Sequence, residues 1–359
     1  MATRWPEKRM TPPFPTMVLW CHAPASALLS GSLLLATTCA PNVMQQVVQA
    51  LSKAVPQLSL VSANISLLRP VLGGVFVVGA LRWAHRVLSE LARNSWNFRP
   101  TTDWDWPNEI AVITGGSSGI GKSLAEKLLE KGVRVAVVDV QQLPKPLEDH
   151  PRVHFYKCDV SDGASVSAAS EAIRDEVGSP SILVNNAGIA SHHNILACDE
   201  AYLRKIFGVN CFANWFTTRE FLPSMIQANK GHVVTVASLA SFFCFGGIAD
   251  YAGSKAAARA FHEALGTELR HRYKAPNVLT TIVHPHYVRT PCIGKYIEGL
   301  ERHGFHLLEP EDVADKIVAQ LMSRRSGELI LPESEIMLSS FRAWPTWIQE
   351  PIRDIFTKS

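Results

Sequence analysis

Charge of one sign is nearly absent from the sequence as a surplus: 35 Lys and Arg against 32 Asp and Glu leave a formal net charge of +3. That is too little for a partner built on phosphate neutralisation, and no basic stripe with interleaved aromatics occurs, so a nucleic-acid partner is not expected. Cysteine patterning is also missing. The seven cysteines, Cys21, Cys39, Cys158, Cys198, Cys211, Cys244 and Cys292, contain no Cys-x-x-Cys pair and no zinc spacing. An odd, unpatterned set suits a reducing compartment, with Cys211 and Cys244 reading as core filler. His284 and His286 alternate on an extended segment without a third ligand nearby in sequence, so they read as wall residues and no metal is expected.

Formal charge disappears altogether over Met17 to Ala40, a stretch of 24 residues. That is long enough to cross a bilayer as a helix, although His22 and Pro24 dilute it, and the basic residues Arg4, Lys8 and Arg9 ahead of it leave a cleaved signal peptide as the rival. A second apolar region, Leu58 to Trp83, carries Arg69 and Pro70 in its middle. Pro70 to Ala80 alone is too short to span, which suggests a re-entrant or interfacial segment, or one packed on the following domain. Trp83, Trp96, Trp104 and Trp106 then cluster either as an interfacial belt or as cover for the domain's flank. Arg82, Arg86, Arg93 and Arg99 would place the following domain on the cytosolic side, whereas the N-terminal arginines favour the opposite side for a single span.

What the sequence does contain is concentrated between Glu109 and Val140. Ile110-Ala111-Val112-Ile113 has the length and β-branched content of a buried strand. Thr114-Gly115-Gly116-Ser117-Ser118-Gly119-Ile120-Gly121 follows, opening a helical pattern of Ile120, Leu124, Leu128 and Leu129 that Lys131-Gly132 stops. A second strand, Val133 to Val138, ends at Asp139. In such a unit the glycines permit a tight turn, close approach of backbone to a pyrophosphate, and close packing of helix on strand, with free N–H groups facing the phosphates. Gly115, Ser117, Ser118, Gly119, Ile120 and Gly121 are therefore candidate cofactor contacts. Asp139 can accept from both ribose hydroxyls of an adenosine and would repel a 2′-phosphate, which favours NAD, with NADP not excluded.

Tyr251-Ala252-Gly253-Ser254-Lys255 carries Tyr and Lys four residues apart, on one face if helical, and Ser238 lies 13 residues earlier at the end of the strand Gly231 to Val236. An ammonium beside a phenol favours its ionised form, which suits Tyr251 to general acid/base work, with Ser238 holding a carbonyl or alkoxide oxygen.

The Gly-x-x-x-Gly-x-Gly turn, Asn185-Asn186-Ala187-Gly188 after the strand Ser181 to Val184, and the Ser, Tyr and Lys set resemble the short-chain dehydrogenase/reductase superfamily across roughly residues 105 to 332. The resemblance implies an α/β fold of Rossmann type, a doubly wound parallel sheet with helices on both faces. It implies catalytic roles for Ser238, Tyr251, Lys255 and Asn210, the last in a helix spanning Glu200 to Gln227, with a proton leaving through Lys255, Asn210 and water. It also implies that Asp159 and Val160 hold the adenine, that Asn186, Ala187 and Gly188 pass beneath the adenosine ribose, that Tyr251 and Lys255 contact the nicotinamide ribose, and that Pro285, Val288 and Thr290 hold the carboxamide. His286 stands where the family usually has glycine, which leaves the local turn open.

The remaining segments are ordered by pattern. Ser161 to Val177 reads as a helix capped by Ser161, and Pro310 to Met322 as an amphipathic helix before a last strand, Gly327 to Leu331. Ile293, Tyr296, Ile297, Leu300 and Phe305, in the family's variable lid, suit an apolar substrate or a helix packed on the core. Met337, Phe341, Trp344, Ile348, Ile352 and Ile355 keep helical spacing through Pro345 and Pro351, as an interfacial segment or a tail docking on a partner subunit.

These readings divide the chain into a hydrophobic membrane-anchoring region over 1–104, a catalytic domain over 105–335 and a tail over 336–359. They resemble the membrane-associated retinol and hydroxysteroid dehydrogenases, and so imply hydride transfer on a lipophilic alcohol or carbonyl at an endoplasmic-reticulum or lipid-droplet surface, facing the cytosol. The resemblance also implies a homodimer through the helices carrying Asn210 and Tyr251. An NADPH-dependent keto-lipid reductase and a non-catalytic lipid-surface scaffold are the alternatives.

Overall fold

Five largely apolar runs pair as central parallel strands because both faces of each are buried, and two more polar strands flank them as half-buried edges. The computed structural model describes residues 65–101, 104–190 and 192–358, with isolated positions at 32, 33, 42 and 46. In chain order these are helix α1 (Ile65–Arg93), β1 (Ile110–Thr114), α2 (Gly119–Glu130), β2 (Arg134–Asp139), β3 (Val153–Lys157), α3 (Gly163–Glu176) and β4 (Ile182–Asn185). Then come α4 (Glu200–Phe207), a π-helical turn (Gly208–Phe212), α5 (Ala213–Ala228), β5 (Gly231–Val236), α6 (Ala249–His271), β6 (Val278–Pro285), α7 (Pro310–Ser323), β7 (Gly327–Leu331) and α8 (Thr346–Lys358).

The sheet runs in the order β3-β2-β1-β4-β5-β6-β7, every pairing parallel. The order reverses between β1 and β4, and the crevice beyond their C-terminal ends is where such a sheet receives a ligand. Alternate strand residues feed opposite faces. Ile113, Val135 and Val137 pack with Leu124, Leu128, Ile317 and Leu321 on the side of α2 and α7. Val112, Ala136 and Val138 pack with Ile173, Phe221, Met225 and Leu269 on the side of α3, α5 and α6. Leu128 is fully buried. Truncating it to alanine would cost about 3 kcal/mol.

Four expectations change. Helix α3 is capped by Asp162, whose side chain accepts from Ala164 N, while Ser161 instead donates its hydroxyl to Asp159 at 2.6 Å. The single helix expected over Glu200 to Gln227 is broken by the π turn at Gly208–Phe212, an extra residue in the helical ladder that lands on Asn210. The tail does not stand apart as an interfacial or subunit-docking segment. Phe341 and Ile352 are buried in a third apolar cluster with Leu239, Phe242, Phe243 and Ile330, because the spacing that resembled a membrane face matches the aromatic surface beyond β5.

Pro70 does not end a helix either, since it sits near the start of α1, where one missing N–H costs little of a 29-residue ladder. Arg93–Ser359 belongs to one compact unit, and α1 up to Ala92 to another. Within α1, Pro70–Arg93 is 24 residues, the one helix among the described residues that is long and apolar enough to cross a membrane. At 1.5 Å per residue it would extend about 36 Å against a hydrocarbon core of about 30 Å. The possible span or signal peptide over Met17 to Ala40 lies outside the described residues. The tryptophans divide between the two readings. Trp104 and Trp106 stack at 5.0 Å and pack on the first apolar cluster, whereas Trp83 and Trp96 are exposed.

Candidate active site

The turn from β1 into α2 depends on backbone that only glycine serves well. Gly115 has φ +66, and a Cβ there would stand 2.9 Å from the Cα of Ala187. A Cβ on Gly121 would collide with the Gly115 carbonyl, so α2 packs directly on the turn. The positive end of α2 and its N–H groups therefore face the crevice between β1 and β4. Ser118 occupies the N-cap position with extended backbone, Gly119 lies against Thr290, and Ile120 packs on the first apolar cluster. Ser117 turns the other way: its N–H donates to Asp139 Oδ2 at 3.0 Å and its hydroxyl to the Gln141 carbonyl at 2.8 Å. Asp139 Oδ1 accepts from Gln141 N at 3.0 Å, so the carboxylate is fixed at the end of β2. A cradle with no room for a Cβ, with a carboxylate fixed at the end of the next strand, fits a nicotinamide dinucleotide.

After β3, exposed Asp159 accepts from the Ser161 N–H at 2.9 Å, and Val160 is buried beside it. At the turn after β4, Asn186 Nδ2 donates to the carbonyls of Thr114 and Gly115 at 3.0 and 3.1 Å, and Ala187 N donates to Thr114 Oγ1 at 3.0 Å. These bonds lock β4 to the glycine turn. Gly188 leaves space bounded by Lys255 Nζ and Asn210 Oδ1, 3.3 and 3.5 Å from where a Cβ would be. Pro285 ends β6, and Val288 is buried against the core with a bridge to Leu308. His286 needs no left-handed backbone. Its N–H donates to Leu331 O at 2.8 Å and its ring pairs with Glu335 at 3.0 Å, which explains why the turn tolerates a side chain there.

Asn210 is held by the π turn so that its amide pairs with both backbone groups of Ile189, accepting from N and donating to O at 2.9 Å each. The Asn210 carbonyl accepts from Asn214 Nδ2 at 3.1 Å. Lys255 donates to the Val236 carbonyl at 2.9 Å and lies 5.9 Å from the centre of the Tyr251 ring. Buried Ser238 accepts from Ala240 N at 3.1 Å and faces Pro285 O at 3.4 Å. Ser241 donates to the Ser238 carbonyl at 2.7 Å and meets buried His284 Nδ1 at 2.9 Å, which ties this turn to β6.

Burial sets the electrostatics. It lowers the Lys255 ammonium to about 8, with Cys292 acting weakly in the other direction. It raises the Tyr251 phenol, which the Ser238 hydroxyl pulls back down and the nearby Cys292 and Tyr287 push up. The Ser238 hydroxyl therefore acts on the phenol in the direction of ionisation, and the Lys255 ammonium lies 5.9 Å from its ring. A site that brings together a phenol, a hydroxyl and an amine lowered to about 8 can exchange a proton with an alcohol oxygen.

Two features near these residues join segments far apart in the chain. Cys292 Sγ faces the Gly188 carbonyl at 3.8 Å, within electrostatic reach of Lys255. An aromatic wall joins distant segments: Tyr287 and Phe305 meet edge to face at 5.5 Å, Phe305 and Phe356 lie 6.1 Å apart, and Phe356 contacts Phe245 and Phe243 at 5.4 and 5.1 Å. Thr357 accepts from Gly246 N at 3.0 Å, which fastens α8 to the loop following Ser238.

The family model for short chain dehydrogenase matches residues 109–300. The chain is 41% identical over 196 residues to Dehydrogenase RED2 of Cochliobolus heterostrophus, covering 55% of this chain and 73% of that one. It is 34% identical over 229 residues to Retinol dehydrogenase 10-B of Danio rerio and 32% over 231 residues to Retinol dehydrogenase 10 of Homo sapiens, covering in each case 56% of this chain and 67% of the relative. Among solved structures, a 3-ketoacyl-(acyl-carrier-protein) reductase from Brucella melitensis complexed with NADH has the same fold, with a TM-score of 0.57 at 24% identity over 64% of this chain and all of that one. With its seven-stranded parallel sheet, glycine-lined crevice and matched family region, this chain belongs to the short-chain dehydrogenase family, oxidoreductases that act on CH–OH groups with a nicotinamide dinucleotide.

Proposed function

We propose that this protein is an NAD-dependent dehydrogenase that interconverts an alcohol and a carbonyl on a lipophilic substrate of retinoid, steroid or fatty type. The observation that carries this reading is the convergence of Ser238, Tyr251 and Lys255 beside the Gly188 backbone, with Tyr287 close to Tyr251 and its ring joined to Phe305. Tyr251 takes the hydroxyl proton of the alcohol, Ser238 holds the same oxygen, and Lys255, lowered to about 8, is the group that relays the proton toward solvent near neutral pH. A bound nicotinamide dinucleotide supplies the hydride acceptor in oxidation and the donor in reduction. Asn210 positions the Ile189 backbone behind Gly188. Asp139, held at the end of β2, supports NAD over NADP by charge.

The candidate cofactor contacts are the Gly115, Ser118, Gly119, Ile120 and Gly121 backbone, Asp159 and Val160 at the adenine, Asn186, Ala187 and Gly188 beneath the ribose, and Pro285, Val288 and Thr290 at the carboxamide. Ser117 serves through Asp139. Helix α1 and the arginines at its end support membrane association, with endoplasmic reticulum or lipid droplet as the surface and the catalytic unit on the cytosolic side. Exposed Leu203, Phe212 and Trp215 on α4, the π turn and α5 support a homodimer through that face.

The test is turnover of a panel of long-chain and short alcohols by the full-length protein in detergent, with NAD and NADP binding measured in parallel. Oxidation of the apolar alcohols with NAD, lost in Tyr251→Phe at unchanged NAD affinity, is the expected result. Tighter binding of NADP, or full activity in the Phe variant, would overturn the cofactor or the acid/base assignment respectively.

A further inference from the structure

We propose that His193, Cys198 and Asp250 form a site for one borderline divalent cation of the zinc class, outside the dehydrogenase pocket itself. An imidazole nitrogen, a thiol sulfur and a carboxylate oxygen here lie within 4.8 Å of one another. Asp250 Oδ2 is 3.7 Å from His193 Nδ1 and 3.9 Å from Cys198 Sγ. Tetrahedral zinc with bonds of about 2.0 to 2.3 Å separates its ligand atoms by roughly 3.3 to 3.8 Å, so small side-chain rotations bring these three onto one ion. The mixture of thiolate, imidazole and carboxylate selects zinc-like ions over magnesium or calcium, which want oxygen alone.

A second observation points the same way. The Asp250 side chain is 5% exposed, and its other carboxylate oxygen, Oδ1, is buried without a hydrogen-bond partner. A buried carboxylate oxygen left without a donor is costly, and a cation beside it removes that cost. The frame is already built. His193 donates its backbone N–H to Gly247 O at 2.9 Å and rests its ring against Tyr202 at 4.6 Å. Cys198 precedes Asp199, the side-chain cap of α4, and Asp250 lies in the first turn of α6. Partial exposure of His193 and Cys198 gives the ion a route in and leaves the fourth position to water.

Such an ion would clip the loop after β4 to the turn of α6 that presents Tyr251. No pattern betrayed it in the sequence, because the thiol and the carboxylate are 52 residues apart.

Cobalt(II) is the probe, since it takes zinc sites and a thiolate ligand gives it a near-ultraviolet charge-transfer band. Titrating the reduced, metal-free full-length protein should develop that band to one equivalent per chain, with zinc displacing it. Cys198→Ser should abolish the band, Cys292→Ser should keep it, and His193→Gln should weaken cobalt binding at least about tenfold, as losing a direct ligand must cost no less than losing an outer partner. No band in the native protein, or a band that survives in Cys198→Ser and vanishes in Cys292→Ser, would overturn the site. Should Cys198→Ser fail to fold, the His193→Gln and Cys292→Ser titrations decide the question by themselves.

Discussion

The backbone N–H of Ser117 donates to the Asp139 carboxylate at 3.0 Å, so the phosphate-facing turn and the end of β2 are one hydrogen-bonded unit. In the proposed NAD reading this carboxylate is what repels a 2′-phosphate. Asp139→Asn should shift the NADP-to-NAD affinity ratio toward NADP by roughly ten- to a hundredfold, as removal of one close like-charge contact predicts. Fluorescence titration with both reduced cofactors reads this directly, and an unchanged ratio would place the discrimination elsewhere.

In the proposed reading a lipophilic substrate lies against the ring cluster that Phe356 of α8 completes. Phe356→Ala removes ring contacts with Phe243, Phe245 and Phe305. Such contacts are worth about 1 kcal/mol beyond area, so KM for a long apolar alcohol should rise about five- to tenfold while a short alcohol is little affected. Equal losses for both substrates would show α8 to be a structural element only.

Cys292 faces Gly188 beside Lys255, and burial raises its thiol while the Lys255 ammonium pulls it down. Because the thiolate is the nucleophile, alkylation by a maleimide should be slow at neutral pH and accelerate as pH rises past 9. It should inactivate the enzyme, bound NAD should slow it, and Cys292→Ser should resist it. Inactivation that NAD does not slow would separate this thiol from the pocket.

Three buried histidines predict an acid limit. Burial lowers His232 and His262 to about 3 and His284 to about 4. Their folded values lie below the unfolded value of about 6.5, so the unfolded chain binds more protons between the two. The stability these neutral rings contribute is complete above pH ~6.5 and is lost as pH falls toward the folded values. Urea midpoints should therefore drop steeply between about pH 6 and 4, and His232→Gln, which keeps a partner for Thr281, should flatten that slope. A slope unchanged in the variant would assign the acid limit to carboxylates.

Local chemistry made much of this protein readable in one dimension. The strand from Ile110, the glycine turn and the stop at Gly132 follow from β-branched runs and from backbone that few residues other than glycine adopt, and such constraints act over a few residues. Asn-Asn-Ala-Gly and the Tyr251 and Lys255 spacing were legible for the same reason. The cap of α3 was misread by one residue because Ser161 and Asp162 are both good caps, and Asp159 had already engaged the serine.

What only the tertiary structure decided concerns partners far apart in the chain. The apolar spacing of the tail is compatible with a membrane, a subunit or a core, and only the rings of Phe242, Phe243 and Phe305 select the core. That burial holds the Tyr251 phenol up while the Ser238 hydroxyl pulls it down follows from packing and orientation, which spacing along a helix does not contain. The gathering of His193, Cys198 and Asp250 likewise exists only because the loop after β4 meets the first turn of α6, and no periodicity records which segments meet there.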